Sequence, residues 1–267
     1  MNAYQTVARR NLAPPRLSWR FVPVWRRMFL VWRKLAVPSM LGNLADPMIY
    51  MLGFGYGLGK LLPEVAGMPY IVFLAAGTIC FSTMNSATFE TLYSSFSRMH
   101  VQRSWDAMLN APLALDDVVL GECVWASSKA FLSGSAILLV AAALGLLQSW
   151  HALWILPLIP VIGFTFSALG LVVTALSPSY DFFMYYFTLV ITPMTMLSGV
   201  FFPVDQLPAA IQTLAYVLPL VHATEIVRPL VLGVAPPDIG LHLAVLLAYG
   251  AAAFYAALVL FRRRLVS

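Results

Sequence analysis

The amino-acid sequence predicts an all-α membrane protein with six transmembrane helices. An N-terminal interfacial helix, a short cytoplasmic-loop helix and a re-entrant outer hairpin between helices 5 and 6 complete it. Three observations lead there. Of 267 residues, 61% are hydrophobic and only 10% charged, against roughly 25% charged in a soluble domain, and a soluble fold cannot hide that much apolar surface. Six stretches, 35–58, 70–93, 123–147, 153–176, 182–202 and 241–261, reach the roughly 20 apolar residues that a span requires. Bases gather at both chain ends, and Lys and Arg stay on the cytoplasmic side. Both termini are therefore expected inside, with an even number of crossings. The net charge of +5 could suggest nucleic acid, but the bases border the spans, so topology accounts for them and no nucleic-acid partner is expected.

Residues 18–34, SWRFVPVWRRMFLVWRK, place Trp19, Val22, Trp25, Phe29 and Trp32 at steps of three or four, with Arg20, Arg27 and Lys34 on other faces. This fits a helix lying in the inner interface, its tryptophans among headgroups and its bases toward them. The first 34 residues hold eight bases, including Arg9 and Arg10, and no acid. A signal peptide is the weaker reading, because the first apolar run is too long and contains Asp46.

The loop after the second span contains Arg98 and Arg103 and so falls inside. Met99, Gln102, Trp105, Asp106 and Leu109 recur at helical spacing, and Pro112 closes that helix. Asp116 or Asp117 is expected to cap the next one. Residues 98–110 are read as a helix parallel to the membrane and suited to receiving a partner; the plainer alternative is a solvated connector.

A seventh apolar stretch, 207–232, carries Pro208, Pro219, His222, Glu225, Arg228 and Pro229. Charge in the bilayer costs at least about 2.5 kcal/mol on insertion scales, and proline breaks the helix ladder. A seventh crossing would also move Arg262, Arg263 and Arg264 outside. The segment is expected to dip in and return, with Glu225 and Arg228 paired to each other or to a second copy. They would line an exit or anchor the hairpin among outer headgroups.

No GxxxxGK[ST] loop is present: the run from Gly53 to Lys60 is followed by Leu61. The four histidines show no ligand spacing, no protease or hydrolase motif occurs, and Tyr180-Asp181 lacks a second aspartate motif. Cys80 and Cys123 are read as packing residues. Glu90 and Glu122 are expected to pair with Lys129 or Arg98. Asp46-Pro47, mid-span, could shape a pore or cap a broken helix. The chain itself is expected to bind no metal and no cofactor and to catalyse nothing.

With these residues in place, the sequence resembles the membrane permeases of ABC-2-type exporters, and within them the NodJ family. The resemblance is carried by LGNLADPMIY (41–50), FLAAG (73–77), ATFET (87–91), LGLVVTALSPSYDFF (169–183), TLVITPMTMLSGVFFPVDQLP (188–208) and LFRRRL (260–265). It implies a single ABC-2 transmembrane domain over 1–267, of type V exporter character, in the bacterial inner membrane. It implies two permease copies working with two NodI-like ATPase subunits, which carry ATP and magnesium. It also implies a coupling helix at 98–110, a re-entrant hairpin over 203–232 and a lipo-oligosaccharide cargo.

On that reading Arg98, Gln102, Arg103, Trp105, Asp106 and Leu109 meet the ATPase. Asp46, Tyr50, Met51, Tyr56, Phe187, Met194, His222, Glu225 and Arg228 line the path or its gate, among membrane lipids. The rivals are an exporter of another hydrophobic compound, a secondary transporter using Asp46 or Glu225, and a passive assembly factor. Internal repeats, frequent in secondary transporters, are absent.

Overall fold

The computed structural model describes residues 12–265, the side chain of Asn43 excepted; Arg9 and Arg10 lie outside them. Helix α1 (Phe21–Trp32) leads almost directly into α2 (Ala36–Gly57). Next comes a two-residue antiparallel ladder, β1 (Glu64–Val65) with β2 (Met68–Pro69). Its turn residues Ala66 and Gly67 both have positive φ, 53° and 74°, the handedness that matches strand twist in a tight hairpin. The described chain is therefore not wholly helical as predicted: two strand residues a side carry no readable alternation.

The remaining elements are α3 (Tyr70–Val101), α4 (Ser104–Leu109), α5 (Leu115–Ala143), α6 (Trp150–Leu176), α7 (Asp181–Leu197), α8 (Ala209–Ala215), α9 (Pro219–Leu232) and α10 (Ile239–Leu265). By length and apolar composition α3, α5, α6 and α10 can each cross a membrane. The pair α8–α9 passes that test only when taken together, and it is bent by 89°. Helix α2 has 22 residues, but Asn43, Asp46 and Pro47 dilute its apolar character. Helix α7 is apolar and shorter.

Three boundaries differ from those predicted. The second span, expected to end at 93, runs on to Val101. The third, expected to start at 123, starts at Leu115. Arg98 and Glu122 lie outside the predicted spans, and in the fold they and Glu90 pair within the extended helices. The expected helix 98–110 is consequently split. Arg98 belongs to the last turn of α3, and only Ser104–Leu109 forms the separate helix. Arg103 makes the break with a left-handed φ of 49°. The helix expected over 182–202 stops at Leu197, where Gly199 turns at φ 72°.

Helix α3 is the centre of the bundle: 83% of its most apolar window is buried, against 39% for α10. In its first half Phe73, Leu74 and Ile79 pack with Ile137, Ile155 and Phe166, and in its second half Leu92 and Phe96 pack with Trp105, Val118, Phe183 and Phe261. Cys80 and Cys123 are free and buried in these clusters. Small residues let neighbours approach α3. A Cβ placed on Gly77 would stand 2.4 Å from the Val200 carbonyl oxygen and 2.8 Å from its Cα. Backbone cannot swing aside as a side chain does. Gly77→Ala is therefore expected to destabilise the protein by about 1–3 kcal/mol, read as a lower unfolding midpoint in detergent. An unchanged midpoint would show that the 198–204 turn is free to move.

The bundle has two ends. At the basic end Arg264 donates to the carbonyls of Ala175 and Ser177, and Arg262 pairs with Asp116 at 2.6 Å. At the opposite end Gln148 donates to Val231, and Tyr70 to the Phe201 carbonyl at 3.1 Å.

Candidate functional site

The last turns of α3 widen to i→i+5 pairing over Glu90–Ser95 and Ser97–Val101. Wide turns of this kind concentrate at functional positions. Here they bring Glu90 and Arg98 to the same side of α3, facing Glu122, Trp125 and Lys129 on α5. Arg98 holds Glu90 at 2.9 Å through Nη1 and Glu122 at 2.9 Å through Nε. Lys129 Nζ holds the other Glu90 oxygen at 2.8 Å. Trp125 donates its indole N–H to Glu90 at 2.8 Å, Trp105 donates to Glu122 at 3.0 Å, and the Ser95 hydroxyl donates to Glu122.

Two carboxylates and two cations thus cancel, and every carboxylate oxygen accepts at least one bond. That is the condition under which buried charge is tolerated, and it is needed here because Glu122 is 0% and Glu90 4% exposed. The expected pairing of these acids with Lys129 and Arg98 is what the fold builds. The two indoles and Ser95 were not foreseen. Their signal was present, since a tryptophan in an apolar segment still needs an acceptor for its N–H.

Trp105 makes this network reach α4. Its ring is fully buried, and it also packs on Phe261 of α10 with centroids 4.9 Å apart. Ser104 anchors the same turn to the Arg98 carbonyl at 3.1 Å. The six residues expected at a partner surface therefore divide. Gln102, Arg103 and Asp106 are exposed, Leu109 is half-buried, and Arg98 and Trp105 point inward. A polar pocket of about 190 Å³, bordered by Arg27, Trp32, Gln102 and Lys129, opens onto the network.

Helix α1 lies across α5 through Val24 and Met28, its two buried residues. The tryptophan stripe predicted from spacing is a different face. Trp19 is 83% exposed, while Trp25 is half-buried and donates to Ser128 at 3.0 Å. The physical reason is Gly121: a Cβ there would meet Val24 at 2.6 Å, so the close approach of the two helices selects the slim valine. The tryptophan side borders an apolar groove of about 1030 Å³ lined by Trp25, Phe29, Trp125, Phe131, Phe164 and Phe254. At the start of α5, Asp117 accepts from the Ala114 N–H at 3.1 Å and so caps that helix, while Asp116 takes Arg262.

Of the residues expected along a path, Asp46, Tyr50 and Tyr56 lie on one side of α2 that the rest of the chain leaves uncovered. Asp46 takes part in none of the ion pairs formed by the described residues. Tyr50 joins Phe54, Phe81 and Phe201 in an aromatic cluster, 5.7 Å from Phe201. Phe187 is half-buried in a second wide turn, Phe187–Ile191 of α7. Met51 and Met194, 0% and 3% exposed, are core residues.

The bent pair α8–α9 is held from several sides. The Arg228 guanidinium donates to the Gly199 carbonyl and lies 3.9 Å over the Phe73 ring. Thr224 donates to Ser198 at 2.8 Å. His222 meets His242 of α10 at 2.8 Å. Glu225 is half-buried, and the ion pair expected between it and Arg228 is not formed. Arg228 instead reaches the turn after α7 and donates to the Gly199 carbonyl there. Beside the turn, a cavity of about 530 Å³ lies between Phe54, Leu58, Tyr70, Phe201, Phe202 and Gln206.

The chain matches the ABC-2 type transporter family over residues 21–232. It is 47% identical to Nodulation protein J of Rhizobium meliloti (strain 1021) over 254 residues, which cover 95% of this chain and 97% of the relative. It is 50% identical to Nodulation protein J of Rhizobium leguminosarum bv. viciae over 250 residues, 94% and 96% of the two chains. It is also 25% identical over 198 residues to the inner membrane transport permease YadH of Escherichia coli (strain K12), covering 73% of this chain and 75% of that one.

Proposed function

Because the chain belongs to the ABC-2 type transporter permeases and, within them, to the Nodulation protein J family, we propose that it is the inner-membrane permease of an ATP-driven exporter of an amphiphilic lipid-linked oligosaccharide. Two copies work with two NodI-like ATPase subunits, which hold the ATP and magnesium; this chain binds no cofactor and adds no chemistry. It crosses the membrane six times, through α2, α3, α5, α6, α7 and α10. The basic end, with both termini, faces the cytoplasm. Helices α8 and α9 form the re-entrant hairpin and return to the outer face.

The carrying observation is the way α4 hangs from the bundle. Its outer face offers Asp106, next to the exposed Gln102 and Arg103 of the break before it, and its inner face inserts Trp105 between Glu122 and Phe261. A push on that outer face moves Trp105, and with it α5 and α10. Closure of the ATPase pair can bias the permease only by favouring one of its arrangements over the other, and a rigid indole bridging two helices is a lever of that kind. Gln102, Arg103, Asp106 and Leu109 are the contact; Arg98 and Trp105 transmit it.

The uncovered face of α2 with Asp46, Tyr50 and Tyr56 lines the path, because a mid-helix carboxylate is too costly against lipid. Phe187 flanks it on α7, Met51 and Met194 back it from the core, and His222, Glu225 and Arg228 belong to the hairpin at its outer end. The apolar groove beside α1 suits the acyl part of a cargo resting in the inner leaflet. Lipids cover the remaining apolar surface.

The test joins Asp106→Arg with Arg103→Asp. Both side chains are exposed, so the fold should survive. Recovery of the ATPase subunit on the tagged permease is expected to fall at least tenfold, equivalent to about 1.4 kcal/mol. Equal recovery by variant and wild type would remove α4 as the contact. Failure of the wild type to recover any ATPase would defeat the exporter reading and favour a secondary transporter.

A further inference from the structure

At the opposite end of the bundle two imidazoles meet. His222 on α9 and His242 on α10 face each other through their Nδ1 atoms at 2.8 Å, both rings being less than 9% exposed. The far nitrogen of His222, Nε2, lies 3.0 Å from the Tyr216 carbonyl. That carbonyl ends α8 and has no partner within its helix. One residue on, the Val217 carbonyl takes the Tyr249 hydroxyl of α10 at 2.7 Å. The 89° elbow between α8 and α9 is thus closed on two carbonyls, by a histidine from α9 and a tyrosine from α10.

The partners fix the protons. A carbonyl only accepts, so His222 carries its hydrogen on Nε2 and, when neutral, leaves Nδ1 as an acceptor. The facing His242 Nδ1 must then be the donor. A first added proton can sit on His242 Nε2, away from the contact, and the bond between the rings survives and strengthens. A second proton has only His222 Nδ1 to occupy, where it confronts the Nδ1–H of His242. The hydrogen bond then becomes a contact between two cations. The pair can therefore take one proton with the bond between the rings intact, and a second proton breaks that bond.

From this we propose that the His222–His242 pair is a proton-operated clasp. It fastens the outer hairpin to the last helix while it holds no more than one extra proton, and it releases the hairpin when it takes the second. Among the described residues, the ionisable groups on its own and neighbouring elements include the following. Glu225 and Arg228 stand on α9, Asp205 and Tyr216 flank α8, and Asp238 and Tyr249 belong to α10 and its lead-in. Tyr70 and Cys80 come from α3, and His151 from the start of α6. Glu225, one helical turn beyond His222, is the acid that opposes the charge. One carboxylate can balance the first proton but not both, which places the release at the second step.

The clasp concerns the attachment of the hairpin alone and holds whether or not the cargo assignment does. Hydrogen exchange on the full-length protein in lipid nanodiscs tests it without any transport assay. With intrinsic rates corrected, amides of residues 209–232 are expected to lose at least tenfold protection between pH 7.5 and pH 4.5, while α3 amides do not. In His242→Gln the side-chain amide can present either N–H or carbonyl to His222, so the hairpin should stay protected at both pH values. Equal protection of the wild-type hairpin at the two pH values would overturn the proposal, and so would a loss that persists in His242→Gln. If that variant does not fold, His222→Gln serves the same purpose from the other ring, and the wild-type comparison still decides whether the hairpin releases at all.

Discussion

Arg98→Ala is expected to remove most of the folded protein from the membrane. Among the described residues, Arg98 is the only cation that bonds both Glu90 and Glu122. Without it Lys129 balances Glu90, while Glu122, 0% exposed, is left with two neutral donors, Trp105 and Ser95. Taking one partner from a buried pair typically costs about 3–5 kcal/mol, a large share of the roughly 5–15 kcal/mol that holds a domain together. Size-exclusion of a fluorescent fusion measures the loss as a smaller monodisperse peak and a lower unfolding midpoint. Arg98→Lys keeps the charge but not the forked geometry that spans both acids, so it should fall between. Adding Glu122→Gln to Arg98→Ala removes the excess charge and should recover part of the loss. A wild-type midpoint for Arg98→Ala would mean that the network is not what stabilises this end of the bundle.

Arg228→Ala is the second large effect. The guanidinium bonds the Gly199 carbonyl in a turn at φ 72° and covers the Phe73 ring. A charged hydrogen bond contributes about 1.5–3 kcal/mol, and a desolvated cation–π contact about 2 kcal/mol. Since such terms do not simply add, a destabilisation of about 2–4 kcal/mol is expected. The 198–204 turn should loosen first, seen as faster hydrogen exchange there than in α5. Glu225→Gln should cost about 0.5 kcal/mol or less, because the side chain keeps contact with water and has no ion pair to lose. If both substitutions were equally mild and only export fell, Arg228 would be a gate residue rather than the latch of this turn.

The long apolar elements were legible because a spanning helix needs only length and composition, and α3, α5, α6 and α10 satisfy both. The break at 207–232 was legible for the same local reason, since Pro208 and Pro219, which lack the backbone N–H of a helix interior, stand at the starts of α8 and α9. What misled was charge. Glu90, Arg98 and Glu122 looked like span ends, and they proved to be interior because each had a partner on a neighbouring helix. Helical spacing placed the tryptophans of α1 among headgroups and did not say which face packs on the bundle. The face it buries was chosen by a glycine on α5, about a hundred residues away.

The comparison between α4 and α9 shows the same limit at the candidate site. Spacing put Trp105 with Gln102 and Asp106 as one surface, yet the indole turns inward, because Glu122 lacks a donor that no residue near it in sequence supplies. Spacing put His222, Glu225 and Arg228 on one face, yet each serves a different neighbour: His242, solvent and Gly199.

By itself, then, the sequence determined the membrane class, the long helices, the elbow and the family. Those follow from local composition, from proline and glycine, and from residue blocks that resemble the family's. Only the tertiary structure decided which charges pair, which side of each helix is covered, and which histidine meets which. Those depend on contacts between residues far apart in the chain, and buried polar groups take whatever partner the packed helices bring within hydrogen-bond reach.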